Sequence, residues 1–287
     1  MHRTLLFPAL LLAALPAHAQ SDLRGGGKLL LTNGITTIEG ATGGGLTPWA
    51  TIAGNETKDG IGVQASATQV ELKDYDFRSI AIAIGIKDRV ELSFARQKFD
   101  TNKIGGVLGI GNDYAFDQDV WGAKVKLFGD LVYGPEMLPA VAVGVEYKRS
   151  LDGALVSALG ARHGEGVDYY VSATKLFLAH SVLINFTARA TKANQMGLLG
   201  FGGVDDEYRV QFEGSVAYQF SRRLAIGAEF RAKPDNLGIA REDDWFDVFA
   251  AFALTQNLTV TAAYADLGSI ATVKGQRGAL IQLQAAF

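Results

Sequence analysis

Past residue 20 the chain alternates apolar and polar positions with a period of two. In residues 207–221 one set reads Glu207, Arg209, Gln211, Glu213, Ser215, Ala217, Gln219 and Ser221. The other reads Tyr208, Val210, Phe212, Gly214, Val216, Tyr218 and Phe220. An alternation this long is about twice the usual strand of a soluble protein. It suits a tilted strand that crosses a bilayer with its ends projecting. The same rhythm predicts strands near 277–287, 257–267, 243–254, 223–233, 207–221, 181–192, 167–178, 138–149, 117–128, 89–99, 76–87 and 60–71. Two weaker segments, 46–55 and 28–39, extend the series. Connections are short at Lys87-Asp88, Leu178 to Ser181, Ser221-Arg222 and Thr255-Gln256. They are long and rich in Gly, Asp and Asn at 100–116, 150–166, 193–206, 234–242 and 268–276. Short turns at one end and long loops at the other are the rhythm of outer-membrane barrels.

The expected fold is therefore all-β: a transmembrane antiparallel up-and-down β-barrel. With the C-terminus and the short turns on the periplasmic side, parity favours fourteen strands over thirteen. Twelve strands with a partly inserted N-terminal segment is the alternative. Fourteen strands would place Gly43-Gly44-Gly45 in an outer connection and leave too little chain for a separate plug domain.

Turning the apolar set toward lipid sends Glu91, Lys124, Lys126, Glu146, Lys148, Arg189, Glu207, Arg209, Glu213, Glu229, Arg231, Lys233 and Asp247 into the lumen. The opposite facing would cost up to ~2–4 kcal/mol for each base near the midplane. Seven bases and six acids predict a polar lumen of mixed sign. It is either an aqueous passage with little charge selectivity or one closed by internal salt bridges. The residues expected to line a passage are Lys124, Lys126, Glu146, Lys148, Arg189, Arg209, Glu213, Glu229, Arg231 and Asp247.

Aromatic positions sharpen the orientation. Trp49, Trp121 and Trp245 open inward-running segments, and Phe177, Phe220 and Phe287 fall at periplasmic ends, as expected for two interfacial girdles. Trp245 shares parity with Asp247, so it points inward unless a bulge intervenes. Lys175 shares parity with Val171 and is expected to snorkel at the membrane edge. The last strand alternates through Ala279, Ile281, Leu283, Ala285 and Phe287, and its terminal aromatic resembles the signal read by the barrel assembly machinery.

Composition then excludes whole classes. The 287 residues are 48% hydrophobic yet contain no run of eighteen apolar residues after position 20. Zero cysteines exclude disulfides, thiolate metal sites and a cysteine nucleophile. A net charge of -3 offers no footprint for nucleic acid. Residues 1–19, with basic Arg3, an apolar run from Leu5 to Leu15 and Pro16-Ala17-His18-Ala19, read as a cleaved secretory signal. Residues 20–287 are then the mature barrel. Removing Arg3 lowers the bases from 27 to 26 against 30 acids, a net of -4.

Catalytic chemistry is not indicated. His163 lies in an outer loop and His180 in a periplasmic turn, too far apart for one metal site. Glu165 and Asp168 are near His163, but no serine completes a triad, so no enzyme activity and no cofactor are expected. Gly27-Lys28-Leu29 and Gly109-Ile110-Gly111 lack the remaining residues of phosphate or dinucleotide loops. Asp205-Asp206-Glu207 and Glu242-Asp243-Asp244 are acidic rims, read as solvated, with divalent cations bridging lipopolysaccharide as the alternative.

The run Gly27-Lys28-Leu29-Leu30-Leu31-Thr32-Asn33-Gly34, continuing through Ile38-Glu39-Gly40-Ala41-Thr42-Gly43-Gly44-Gly45-Leu46-Thr47-Pro48-Trp49-Ala50, resembles the proteobacterial barrel family catalogued as domain of unknown function 3034. The resemblance implies an envelope barrel and carries no activity or site residue with it. The expected function is a porin-like passive channel for small polar solutes. The alternative is a non-conducting structural or surface-interaction barrel whose outer loops, Ile104 to Gly111 and Met196 to Val204, carry the function. Outer-membrane lipid, lipopolysaccharide and the assembly machinery are the expected partners.

Overall fold

A computed structural model describes residues 27–239, 242–271 and 273–287. The proposed signal at 1–19 lies outside the described residues. Two short strands, β1 (Ile35–Thr36) and β2 (Thr42–Gly43), pair with each other. Twelve more close a barrel: β3 (Ile61–Leu72), β4 (Asp76–Ile86), β5 (Val90–Asp100), β6 (Ala115–Phe128), β7 (Ala140–Ser150) and β8 (Glu165–Phe177). It continues through β9 (Val182–Thr191), β10 (Arg209–Ser221), β11 (Leu224–Arg231), β12 (Trp245–Ala253), β13 (Leu258–Asp266) and β14 (Arg277–Ala286). Each strand pairs antiparallel with its sequence neighbour, and β14 pairs with β3 to remove both edges. Closure also satisfies every ladder, which a bilayer requires of any spanning sheet.

Period two decides which face meets lipid. In β4 the bulky Ile80, Ile82 and Ile84 are exposed outward, while Ala81 and Ala83 are buried inward. In β10 Val210, Phe212, Val216, Tyr218 and Phe220 are exposed outward. The periplasmic connections between strands are short except for 129–139, and long outer loops follow β5, β7, β9, β11 and β13. Trp121 stacks on Tyr147 with ring centroids 5.5 Å apart and lies 5.5 Å from Phe94, part of the outward aromatic belt.

Twelve strands replace the fourteen favoured by parity, and the N-terminal alternative holds. Segments 28–39 and 46–55 are not barrel strands; they fold into the lumen. Every residue from 32 to 54 is buried, so these residues are the plug for which the strand count left no room. The physical reason lies in burial on all sides. A wall strand must alternate because one face meets lipid, whereas a plug has no solvent or lipid face to impose a period. Gly40 (φ 100) sits where its missing side chain lets the plug turn pass the Phe94 backbone and the Ala95 methyl.

Three side chains need reassignment. Trp49 is not at the outer interface: it belongs to the plug, and its indole N–H donates to Ser215 Oγ at 2.9 Å. Trp245 points inward without a bulge, with Lys233 Nζ 4.5 Å above its ring. Lys175 does not snorkel in the open; it is buried and donates to the carbonyl of Asp130 in the 129–139 connection at 3.3 Å.

Candidate functional site

The lumen is filled from both ends. From the periplasmic side comes the plug, residues 27–55. From the outer side the loop 193–201 folds inward, with every residue from Ala193 to Phe201 buried. Its turn places Gln195 and Met196 at positive φ (45° and 61°), a costly conformation for side-chain-bearing residues that surrounding contacts must hold. Gln118 Nε2 donates to the carbonyl of Met196 at 3.2 Å from one side. On the other side Lys233 Nζ reaches Gln195 Oε1 at 2.9 Å, and Glu242 accepts the Gln195 N–H at 3.0 Å.

Apolar layers cap the lumen above and below. The outer layer joins Ile38 and Leu46 of the plug to Phe77, Phe99, Phe116, Met196, Leu198, Leu199 and Trp245. The periplasmic layer joins Ile35 and Trp49 to Leu131, Leu176, Leu183 and Phe249. Cavities beside the plug include one of about 30 Å³ under the inward-folded loop 193–201, the lid of the lumen, and one of about 40 Å³ near Trp49. Their linings are mostly apolar, so they offer buried water few of the polar partners it needs.

Between these layers β7–β12 present a charged wall. Glu39, on the plug, is the hub. Lys148 contacts Glu39, Asp168 Oδ2 at 2.6 Å and Glu146 Oε2 at 3.3 Å. Arg189 reaches Glu146 at 2.6 Å, Glu213 at 2.5 Å and both Glu39 and Asp168 at 3.5 Å. Arg231 donates to Glu39 at 2.6 Å and to the carbonyl of Leu46 at 3.0 Å. Oxygens of Glu39, Glu146 and Asp168 lie within 4.8 Å of one another, as metal ligands would. Here the Lys148 ammonium contacts all three, so the protein supplies its own cation. Such a network is worth little over an apolar core but costs heavily when one partner is removed.

The remaining wall, from β14 round to β6, is mostly amide and hydroxyl. Gln282 treats Thr36 as a neighbouring strand would, donating to its carbonyl at 2.7 Å and accepting its N–H at 3.3 Å. Gln97 Nε2 and Ser79 Oγ both donate to the carbonyl of Ile38 at 2.8 Å. One ion pair interrupts this wall: Lys124 Nζ lies 3.0 Å from Glu91, and Glu91 also accepts the N–H groups of Thr42 and Ala53.

Of the ten expected lining residues, eight face the lumen. Glu146, Lys148, Arg189, Glu213 and Arg231 meet in the Glu39 network. Lys124 stands apart with Glu91, and Glu229 and Asp247 form a second acidic group. Lys126 sits instead at the periplasmic edge beside Asp88, and Arg209 at the outer rim, 2.5 Å from Asp205. Glu207 is exposed rather than luminal. Glu39 and Asp168 were missing from the expected lining. Asp168 shares its strand face with Ser172 and Thr174, a signal in the alternation itself; Glu39 had none. Among the described residues, the buried lumen and its mouth thus hold acids Glu39, Glu91, Glu146, Asp168, Glu213, Glu229, Glu242 and Asp247 against bases Lys124, Lys148, Arg189, Arg231 and Lys233. Eight acids meet five bases, so the near-neutral expectation gives way to an acidic interior.

At the mouth, Lys233 and Glu242 lie 3.7 Å apart. Burial outweighs their attraction: it pushes the Glu242 carboxyl up to about 7 and the Lys233 ammonium down to about 8. The acidic stretch at 242–244 is therefore not a simple solvated rim. At 205–206 the acids are paired, with Asp206 3.2 Å from both His163 and Lys192.

Residues 32–284 match the family described as "Protein of unknown function (DUF3034)". No curated protein matches the chain in sequence. Among solved structures, a KdgM porin in complex with disordered oligogalacturonate aligns with a TM-score of 0.51 at 10% identity. That alignment covers 78% of this chain and 99% of the porin. The NanC porin aligns at 0.48, with 10% identity and coverage of 78% and 98%. Outer membrane phospholipase A from Escherichia coli aligns at 0.44, with 6% identity and coverage of 78% and 92%. At these identities the likeness concerns the fold: a porin-like barrel of the outer-membrane type.

Proposed function

Because the chain belongs to the DUF3034 family, whose description assigns no activity, we propose a function from its own lumen: a gated porin-like channel for small polar solutes, closed at rest by residues 27–55. The observation that carries this reading is Glu39, a plug residue in contact with Lys148, Arg189 and Arg231 on three different wall strands. Displacing the plug would leave those bases paired with wall acids alone and bare a passage lined on one side by charge and on the other by amides. Opposed charges would orient passing polar solutes. Outer-membrane lipid and lipopolysaccharide would surround the barrel. Its last strand, with Phe287 exposed at the periplasmic end, would serve as the assembly signal. No catalytic step belongs to this reading: the His163 ring pairs with Asp206 in the outer loops.

The test is conductance in planar bilayers. The whole chain should be nearly silent, and deletion of residues 27–55 should give discrete steps of several-fold higher open probability. A deleted barrel that folds and stays sealed would overturn the gate. It would favour the second reading, a non-conducting barrel working through its outer loops, which draws its support from the buried lid at 193–201.

A further inference from the structure

Two carboxylates stand outside the Glu39 network. Glu229 and Asp247 are direct partners on β11 and β12, both facing the lumen and both 1% exposed. Glu229 is well supplied: it accepts from the N–H of Leu46 at 2.8 Å, Thr47 Oγ1 at 2.7 Å and Ser215 Oγ at 2.8 Å. Neither oxygen of Asp247 has a hydrogen-bond partner. Two neighbouring buried acids, one wholly unpartnered, are an arrangement that proteins avoid unless a positive species sits between them.

Among the described residues no base supplies it. Arg231, next to Glu229 on the same strand face, is directed to Glu39 and Leu46. Lys233 is engaged with Gln195 and Glu242. From β13 the facing residues are Ala263 and Ala265. From the plug come Gly44 and Gly45. A side chain at Gly44 would collide with Glu229 Oε1 at 1.8 Å. One at Gly45 would stand 3.4 Å from Glu229 Oε2 and 3.6 Å from Asp247 Oδ2. The glycine turn therefore presents bare backbone to both acids, inside a lumen that already holds more acids than bases.

We infer that Glu229 and Asp247, closed over by the Gly44–Gly45 turn, bind one hard divalent cation of the Mg²⁺ or Ca²⁺ class. Two carboxylates balance its charge, and waters complete the oxygen ligands such ions require. Because Glu229 also holds Leu46 and Thr47, the ion ties the plug to β11 and β12. This holds whether or not the barrel ever conducts.

The experiment uses the full mature chain in detergent, stripped with EDTA and then equilibrated with Ca²⁺ or Mg²⁺. Elemental mass spectrometry should find about one retained ion per chain, and the heat-induced mobility transition should rise by several degrees. Asp247→Asn should lose both effects, while a rim variant, Asp205→Asn with Asp206→Asn, should keep them. Should Asp247→Asn fail to fold, the wild-type ion count and the ion-dependent transition still decide the matter. A wild type that retains no ion and melts identically in EDTA and Ca²⁺ would overturn the site. So would an Asp247→Asn chain that still retains the ion. A wild-type transition that responds to acid alone would assign a proton there instead and equally overturn it.

Discussion

The two walls of the lumen hold the same plug by different chemistry. From β7 to β12 the wall grips Glu39 with Lys148, Arg189 and Arg231, each itself bound to further acids. From β14 to β6 it grips Thr36 and Ile38 with neutral amides and a hydroxyl. An amide pair can exchange its partner for water at a net cost of about 1 kcal/mol. A desolvated ion network cannot lose one member without stranding several charges. The charged wall therefore fixes the plug cooperatively, and the amide wall in independent small increments.

Arg189→Met should have the largest effect. It leaves Glu213 to Arg231 at 3.6 Å and Glu146 to Lys148 at 3.3 Å, so buried acids lose their shortest partner, at an expected cost of ~3–5 kcal/mol, read as a fall in the urea midpoint. A loss under ~1 kcal/mol would mean that water already shares the network and that the two walls do not differ.

The lid touches both walls, which makes its pH response intermediate. In the closed lid the Glu242 carboxyl titrates at about 7, against 4.5 when solvated. A carboxyl pushed upward holds its proton more tightly in the closed state, so acid favours closure. Closure loses ground as pH rises from 4.5 toward 7. Lys233, pushed down to about 8, regains ground for the closed lid only above that pH. Limited proteolysis within 193–201 should therefore be slow at pH 5 and severalfold faster near pH 7.5. Glu242→Gln should flatten the rise. A rate independent of pH would remove the pair from control of the lid.

Gln282→Leu should have the smallest effect, ~1 kcal/mol by denaturant midpoint and insensitive to salt. A loss as large as that of Arg189→Met would show that the amide wall is as cooperative as the charged one.

The wall was legible in sequence because lipid imposes a pattern. Ile80, Ile82 and Ile84 can face only outward, and the twelve strands of the wall follow from that constraint. The plug was not legible for the converse reason. Thr36-Thr37 breaks alternation because both its faces meet protein, and pairing with Gln282 is invisible locally. The lining residues followed the wall, so eight of ten fell inside. Glu39 did not, since its place depends on how far the plug enters rather than on any period. The interior's sign shifted with it, once Glu39, Asp168 and Glu242 were counted and Lys126 and Arg209 moved to the rims.

The seam between β14 and β3 has a bearing on biogenesis. The backbone of Phe287 pairs with Val63 through both its N–H and its carbonyl, and that carbonyl also accepts the N–H of Asn55 at the foot of the plug. Asn55 Nδ2 donates to the adjacent carbonyl of Ala286 at 2.9 Å. Phe287 thus locks the cylinder and pins the foot of the plug in one contact. Sealing of the wall and seating of its stopper therefore draw on the same backbone groups, so a change that opens this seam would loosen both at once.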